Sequence, residues 1–255
     1  MLLVLDVGNT QAVLGVYHDE HLKRVYRVET SQVAAYLKKQ KSRFRKITHV
    51  IISSVVPSLD RSVREVLKNS WKLKKLHFVT FQSCMPITLK VDKPREVGSD
   101  RICNMVAAWS QFKKPVVIVD FGTATTLEYV DQAGVYRGGL IALGLKVSKD
   151  SLSQRAAKLP KVQLGSPKKM LGTNTVSQMQ AGIVLGYVEM IHGILKRVFQ
   201  EIGFQPKLIF TGGLSSVIHP YIHYPHDHDP NLTLTGLYLL AQWAFFNGAS
   251  EHSVY

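Results

Sequence analysis

The sequence has few cysteines, few acidic residues and no apolar run long enough to cross a membrane. Its two cysteines, Cys84 and Cys103, form no CxxC pair and exclude a disulfide framework, as in a protein of the reducing cytosol. The longest apolar stretch, 237–246, is interrupted by Gln242 and falls short of the roughly 20 residues that span a bilayer. No basic region precedes the N-terminal apolar stretch, and Asp6 interrupts it. We therefore predict a cytoplasmic protein without a signal peptide or a membrane segment.

The shortage of acidic residues leaves the chain strongly basic. It has 32 Lys and Arg against 18 Asp and Glu, a net charge of +14, and two basic runs lie at 38–46 and 61–75. Such runs indicate either attraction to polyanions, including nucleic acid, or a solvated surface, and short basic runs more often have the second role. No helix-turn-helix, zinc-finger or RNP-like pattern accompanies the charge, so we expect no sequence-specific nucleic-acid binding.

The most informative feature that is present is a repeated signal. LLVLDVGNT occupies 2–10 and VVIVDFGTATT occupies 116–126, which places Asp6 and Asp120 114 positions apart. In each, an apolar strand ends in Asp, then Gly and hydroxyl or amide residues follow. Neither Asp can be buried cheaply without a cation or several donors. The repeat predicts two related halves, divided near Pro115, with a phosphate and its metal held in a cleft between them.

Strands and helices alternate in both halves, which predicts a mixed sheet with helices packed on it. The predicted strands are 1–7, 11–17, 24–28, 50–56, 76–81, one that begins at Val116, 127–130, 135–140 and 207–210. The predicted helices are 32–41, 59–71, one that begins at Asp100, 144–159, 174–202 and 235–246. The segment 219–229 contains several His and Asp residues, but their alternating positions around prolines do not fix a tetrahedral metal site. We predict a solvated loop there.

Several short motifs occur in an order that resembles one family. They are the two Asp-Gly turns, Ile51-Ile52-Ser53-Ser54-Val55-Val56-Pro57, Gly98-Ser99-Asp100-Arg101, Gly138-Gly139 and Thr211-Gly212-Gly213. Together they resemble the type III pantothenate kinases, also called the Bvg accessory factor family, from Asp6 to the stretch 229–234. The resemblance implies an α/β fold of two related actin/hexokinase/Hsp70-like (ribonuclease H-like) domains with mixed sheets and an active-site cleft between them. Here these would be 1–115 and 116–255, in a homodimer.

The resemblance also implies a reaction: the ATP-dependent phosphorylation of pantothenate to 4′-phosphopantothenate, the first step of coenzyme A biosynthesis. ATP with Mg²⁺ and a monovalent cation, K⁺ or NH₄⁺, would take part. The alternative is a family member with reduced catalysis that acts as a regulatory nucleic-acid- or protein-binding factor. A chain without phosphoryl transfer has no physical need for Asp6, Asp100 and Asp120 together, so their presence favours the enzyme.

The same resemblance assigns the nucleotide-binding residues. The first turn would bind ATP through Asp6, Val7, Gly8, Asn9, Thr10, Gln11, Ala12 and Val13, with Gly8 allowing close approach of the backbone. In the second turn Thr123 would contact the nucleotide, and Asp120 would be a ligand of the monovalent cation. An ordinary Asp-Gly hairpin is the structural alternative for the first turn.

The substrate-binding and catalytic residues follow in the same way. Asp100 matches the family's general base, although an Asp at a helix start is also a good N-cap. Arg101 suits a planar, bidentate grip on the carboxylate of pantothenate or on the transferred phosphate. Gly98 and Ser99 would complete the substrate-facing turn. Thr175 matches a substrate-contacting threonine, with an N-cap on the helix that follows as the equal alternative.

Two positions depart from the family pattern. The family usually has Tyr at the position of Val91 and Asn at that of Lys93, so an aromatic wall of the pantothenate pocket is missing there. The usual Pro-Gly after Gly-Gly-x-Ile is Leu143-Gly144, which alters entry into the next helix more than chemistry.

Overall fold

The chain divides into two compact units that each contain one sheet. A computed structural model describes residues 1–246. One unit consists of Met1–Lys113, Gln132–Arg137 and, of the described residues, 231–246. The other consists of Lys114–Asp131 and Gly138–Pro230. The units thus differ from two continuous halves, 1–115 and 116–255, and residues 247–255 lie outside the described part.

The first unit has a five-stranded sheet in the order β3-β2-β1-β4-β5. Its strands are β1 (Leu2–Val7), β2 (Gln11–His18), β3 (His21–Glu29), β4 (His49–Ser54) and β5 (Lys75–Phe78). Its helices are α1 (Val33–Lys39), α2 (Pro57–Glu65), α3 (Ser99–Phe112) and α7 (Leu232–Ala241). A two-residue strand, β6 (Thr88–Leu89), pairs with Val135 and Tyr136.

The central strand β1 is covered on both faces. It runs antiparallel to β2 and parallel to β4. Alternate residues Leu3, Leu5 and Val7 belong to one core cluster, in which α1 and α2 also take part through residues such as Leu37 and Val63. Because side chains alternate along a strand, Asp6 points to the other face, on which α7 contacts β1 and α3 contacts β4.

The second unit repeats this topology. Its strands are β7 (Val116–Phe121), β8 (Ala124–Val130), β9 (Val135–Leu143, from Gly138 onward), β10 (Lys207–Thr211) and β11 (Asp227–His228). Their order β9-β8-β7-β10-β11 corresponds strand by strand to the order in the first unit, with β7 antiparallel to β8 and parallel to β10. Its helices are α4 (Leu145–Arg155), α5 (Thr175–Ile202) and α6 (Ser215–Ile218). The repeated Asp-Gly signal therefore marks equivalent positions in two equivalent sheets.

The helices differ from the predicted ones mainly at their ends. The helix predicted over 59–71 is α2 followed by a π-helical turn at Val66–Ser70, and the helix predicted over 144–159 ends at Arg155. The final predicted helix begins three residues earlier, at Leu232, and changes to a π-helical turn at Gln242–Phe246. The predicted loop 219–229 contains a 3-10 turn at its start and the short strand β11.

The final helix packs on α3 because Gly236 allows the two backbones to approach. A Cβ at Gly236 would overlap the carbonyl group of Cys103. This close approach explains why 231–246 belongs to the first unit although it follows the second in sequence. Within residues 1–246 no helix is long and apolar enough to span a membrane.

Candidate active site

The first Asp-Gly turn joins β1 to β2 and is held by hydrogen bonds of its backbone. The Gly8 N–H donates to the Gln11 carbonyl at 3.1 Å, and the Thr30 hydroxyl donates to the Gly8 carbonyl at 2.6 Å. A Cβ at Gly8 would lie 3.0 Å from the Gln11 oxygen, so a larger residue would crowd the turn. The side chains of Asn9, Thr10 and Gln11 are exposed. The turn therefore presents amide and hydroxyl groups to solvent, and Thr30 supports it from behind.

The predicted ATP-binding residues that lie on β1 and β2, other than the exposed Gln11, fall into two groups. Val7 and Ala12 are buried in the core, and only their backbone groups can meet a ligand. Asp6 and Val13 are half-buried. The prediction from sequence did not distinguish these groups, because alternation along β1 and β2 becomes clear only once the strands are paired.

Two serine hydroxyls connect Asp6 to the start of α3. Ser53, the partner of Asp6 in the β1–β4 register, donates to Asp6 Oδ1 at 2.9 Å. Its Oγ also lies 3.1 Å from Ser99 Oγ, which accepts from the Ser54 N–H at 2.9 Å. Ser53 and Ser99 are both buried. Ser53 lies in the motif 51–57, but no local pattern in the sequence indicates a role for it.

Asp100 is the second residue of α3, and Gly98 occupies the N-cap position. The alternative that Asp100 is the N-cap of α3 is therefore wrong. Its Oδ1 nevertheless accepts the Arg101 N–H at 2.7 Å within the first turn of the helix. Burial raises the pKa of Asp100, and the Arg101 N–H and guanidinium charge oppose that rise. One turn later, burial raises the pKa of the Cys103 thiol well above its usual value, and the charges of Asp6 and Asp100 add to the effect. The structure thus places both carboxylates near one thiol.

Arg101 is held by an aromatic residue that sequence reasoning missed. Its Nη2 donates to the Tyr136 hydroxyl at 2.6 Å, and the guanidinium carbon lies 5.8 Å from the centroid of the same ring. Tyr136 is buried and pairs with Leu89, while the Lys90 N–H donates to the Tyr136 carbonyl at 3.2 Å. The aromatic ring of Tyr136 therefore lies on the strand that pairs with β6, and β6 ends two residues before Val91.

The second Asp-Gly turn joins β7 to β8 in the second unit. Asp120 pairs with Thr126 on one side and with Thr211 on the other. The Gly122 N–H donates to the Ala124 carbonyl at 3.1 Å, which closes the turn, and Thr123 at its tip is exposed. Asp120 is half-buried, as Asp6 is in the first unit.

Two glycines allow other segments to lie against this second turn. Gly212 has φ +93°, a conformation that L side chains rarely adopt, and a Cβ there would overlap Asp120 Oδ1. The Leu214 N–H then donates to the Phe121 carbonyl at 3.1 Å. A Cβ at Gly144 would overlap the Thr123 carbonyl. Gly212 lies in the motif Thr211-Gly212-Gly213. Its contact with Asp120 could not be predicted from the sequence, because it depends on the pairing of β10 with β7.

The long helix α5 is anchored to the second sheet and capped by a residue other than the predicted one. The Thr125 and Tyr187 hydroxyls are hydrogen-bonded, and burial raises the pKa of Tyr187 to about 12. Asn174 is the N-cap: its side chain accepts the Ser177 N–H at 2.9 Å in a capping box. The N-cap alternative for Thr175 is therefore wrong, and Thr175 is the exposed first residue of the helix.

The donor types on the two turns fit hard cations. Carboxylate and carbonyl oxygens are what Mg²⁺ and K⁺ require, and each turn supplies an Asp beside backbone carbonyls. In the His-containing segment the rings of His219 and His228 stack at 4.3 Å. Among the described residues, however, no group of three or more His, Cys, Asp or Glu side chains is arranged to hold a metal ion.

Solved structures with the same fold span nearly the whole chain. A protein assigned to the Baf family of transcriptional activators, from Campylobacter jejuni, is 18% identical with a TM-score of 0.60 and covers 94% of this chain and 97% of its own. A protein assigned as a 2-dehydro-3-deoxygalactonokinase, from Sinorhizobium meliloti, is 10% identical with a TM-score of 0.59 and full coverage of both chains. MreB5 of Spiroplasma citri bound to ADP is 10% identical with a TM-score of 0.56 and covers 98% of both.

These similarities show the actin/hexokinase/Hsp70-like fold, which confirms the fold predicted from sequence. The model of the type III pantothenate kinase family matches residues 2–197. This match includes both Asp-Gly turns, the start of α3 and most of α5. The chain belongs to the type III pantothenate kinase family, a family of ATP-dependent kinases.

Proposed function

We propose that this protein transfers the γ-phosphoryl group of ATP to the primary hydroxyl of pantothenate, giving 4′-phosphopantothenate for coenzyme A biosynthesis. The observation that carries the proposal is the start of α3. There a half-buried carboxylate, Asp100, adjoins a serine that is linked through Ser53 to the Asp6 turn. The family match supports the same reaction.

Asp100 is the proposed general base. Its Oδ2 would take the proton of the attacking hydroxyl as that oxygen bonds to the γ-phosphorus and the bond from phosphorus to the ADP oxygen breaks. Burial raises the pKa of Asp100, and a carboxylate whose pKa is raised is a stronger base than an exposed one. Most of the rate acceleration would come from positioning, because phosphoryl transfer needs little covalent help from the protein.

By position in the family, each Asp-Gly turn would have a role in nucleotide binding. In the first, the exposed Asn9, Thr10 and Gln11 and the backbone of the turn supply donors for phosphate oxygens. Asp6 would bind the Mg²⁺ that accompanies ATP and lowers the charge of its phosphates. In the second turn, Thr123 would contact the nucleotide and Asp120 would bind K⁺ or NH₄⁺.

Pantothenate would be held by its carboxylate and its hydroxyl. Arg101 can bind the carboxylate with two parallel N–H bonds, a geometry that Lys cannot offer. Gly98 and Ser99 would line the same turn, and Thr175 would contact the substrate from the start of α5. Each of these roles is carried over from the family by position.

Another aromatic residue lies near Val91, the position at which the family usually has Tyr. Val91 and Lys93 replace residues that the family uses around pantothenate. We propose that Tyr136, on the neighbouring strand and bonded to Arg101, keeps an aromatic side chain at this end of the site.

The protein would act as a cytoplasmic homodimer. Exposed apolar side chains flank the proposed substrate residue Thr175: Leu171 is 86% exposed and Val176 44%. Burying such side chains against a second copy would be favourable by about 25 cal/mol per Å². Analytical ultracentrifugation of the wild type and of Leu171→Lys tests this part.

Turnover with a set of alcohols tests the substrate. Purified protein is incubated with ATP, Mg²⁺ and K⁺ and with pantothenate, glycerol, N-acetylmannosamine or 2-dehydro-3-deoxygalactonate, and phosphorylated products are measured by mass spectrometry. Of these four compounds, we expect only pantothenate to be phosphorylated efficiently. Efficient turnover of a sugar with none of pantothenate would overturn the proposed substrate but leave a kinase. No turnover of any substrate, together with no ATP binding, would overturn the kinase function.

A further inference from the structure

The positive charge of this protein is concentrated in two short segments. Residues 38–46 and 61–75 contain twelve Lys and Arg against one acidic residue, Glu65. The other 231 residues contain 20 basic and 17 acidic residues. Eleven of the fourteen net positive charges therefore come from 24 residues, and the rest of the chain is nearly neutral.

All of this charge is exposed to solvent. The twelve side chains, all of them exposed, are Lys38, Lys39, Lys41, Arg43, Arg45, Lys46, Arg61, Arg64, Lys68, Lys72, Lys74 and Lys75. Within residues 1–246, Arg61 is the only one of them that forms an ion pair, with Glu65 at 3.0 Å. Apart from Arg61, these charges are thus not paired with a carboxylate of the described residues.

The two segments lie side by side because aromatic residues beneath them pack together. The rings of Phe44 and Trp71 lie 5.4 Å apart, and Trp71 Nε1 donates to the Leu37 carbonyl at 3.2 Å. Phe44 is buried, and Leu37 directly precedes the first basic run. We call the exposed surface formed by 38–46 and 61–75 the basic face.

The basic face lies on the opposite side of the first sheet from the proposed kinase residues. It covers α1 and α2, which pack on the sheet face that carries Leu3 and Leu5. Asp6 points to the other face, towards Ser53 and Ser99. A charge cluster that is separated from the chemistry by a whole sheet is not explained by binding of ATP.

We propose that the basic face binds the phosphate backbone of double-helical nucleic acid without reading its sequence. A double helix offers a dense, regular row of negative charges, about one per 1.7 Å of its axis, which matches many clustered cations. The basic runs contain no exposed large apolar side chain that could insert into a lipid surface. They also contain no exposed aromatic ring on which single-stranded bases could stack, since Phe44 is buried and Trp71 half-buried.

A salt titration with a matched pair of variants tests this proposal. The probe is a fluorescein-labelled 24-base-pair duplex, in two unrelated sequences, measured by anisotropy from 25 to 250 mM KCl. The test variant carries Lys41→Gln, Lys46→Gln, Lys68→Gln and Lys74→Gln on the basic face. The control carries Lys158→Gln, Lys161→Gln, Lys168→Gln and Lys169→Gln, which removes the same number of exposed charges from the second unit. Circular dichroism confirms that both variants are folded.

We expect the wild type to bind both duplexes equally and to lose affinity steeply with salt. If the four replaced lysines each contact a phosphate, the slope of log K against log salt falls by about 3 to 4 in the test variant. Its affinity should be at least about tenfold weaker at low salt, whereas the control should stay within about twofold of the wild type.

Four results would overturn the proposal. Equal losses in the two variants would show that net charge alone, and not the basic face, drives binding. No wild-type binding at 25 mM KCl would remove the interaction. Binding to vesicles of phosphatidylserine and phosphatidylcholine in preference to duplex would identify a lipid surface as the partner. A clear preference for one duplex sequence would show base or shape readout instead of contact with the backbone alone.

Discussion

Ser53 Oγ donates a hydrogen bond to Asp6 Oδ1 at 2.9 Å across two parallel strands. Ser53 Oγ also lies 3.1 Å from the Oγ of Ser99, the residue that directly precedes Asp100. One buried hydroxyl thus connects the turn proposed to bind ATP with the helix start proposed to activate the substrate. It helps to orient the Asp6 carboxylate, on which the proposed binding of Mg²⁺ would depend.

Replacing this hydroxyl should impair catalysis more than folding. In Ser53→Ala the Asp6 carboxylate and Ser99 each lose a partner, which costs about 1–3 kcal/mol in a buried site. We expect kcat/KM for ATP to fall by about tenfold or more. Steady-state kinetics measure this fall.

Ser62→Ala is the matched control for Ser53→Ala. Ser62 is half-buried in α2, and its hydroxyl donates to the Leu59 carbonyl of the same helix at 2.9 Å. We expect nearly wild-type kinetics. Equal kinetic losses in the two variants would show that Ser53 acts through general stability.

Tyr136→Phe should weaken binding of the acidic substrate. The variant keeps the ring but removes the hydroxyl that accepts from Arg101 Nη2 at 2.6 Å. A less fixed guanidinium binds a carboxylate less well, by about 1–2 kcal/mol. We expect KM for pantothenate to rise about tenfold with kcat within about twofold. An unchanged KM, or a loss confined to kcat, would contradict a role of Tyr136 in positioning Arg101.

Gly212→Ala should destabilise the protein, whereas Gly213→Ala should not. Gly212 has φ +93° and a Cβ there would overlap Asp120, while a Cβ at Gly213 meets nothing within 4 Å. A non-glycine residue in such a conformation costs about 1–3 kcal/mol before any clash is counted. Thermal unfolding of the two variants measures the difference. Equal melting temperatures would mean that the turn relaxes without strain.

Potassium should increase the rate through Asp120. At constant ionic strength, replacing K⁺ by Na⁺ should raise KM for ATP in the wild type. Asp120→Asn should lose this difference, because an amide attracts a cation less strongly than a carboxylate does. Equal rates of the wild type in the two salts would leave Asp120 as a structural turn residue.

The sequence predicted the architecture well because its strongest signals are local. Each Asp-Gly turn follows a strand with nearly continuous burial, and the structure places both at equivalent positions in sheets of equivalent order. Such a repeat can be read directly, since strand and turn are adjacent in sequence.

The parts that were not predicted depend on contacts distant in sequence. Tyr136 meets Arg101 across 35 positions, and Ser53 meets Asp6 across 47. Neither residue is unusual for a strand, so no local pattern distinguishes it. Local chemistry was also ambiguous at the start of α5, where Thr173, Asn174 and Thr175 are all acceptable caps and only the geometry selects Asn174.

The kinetics of Asp100→Asn test the central claim most directly. The amide can still accept the Arg101 N–H, so the fold and ATP binding should be nearly unchanged. It cannot take a proton, so kcat for pantothenate should fall by about 100-fold or more. Because burial raises the pKa of Asp100, wild-type kcat/KM should decline, as pH falls, already above the usual range of an aspartate. The residual activity of the variant should lack that acid limb. An Asp100→Asn enzyme that keeps most of the wild-type kcat and the same pH profile would contradict the account.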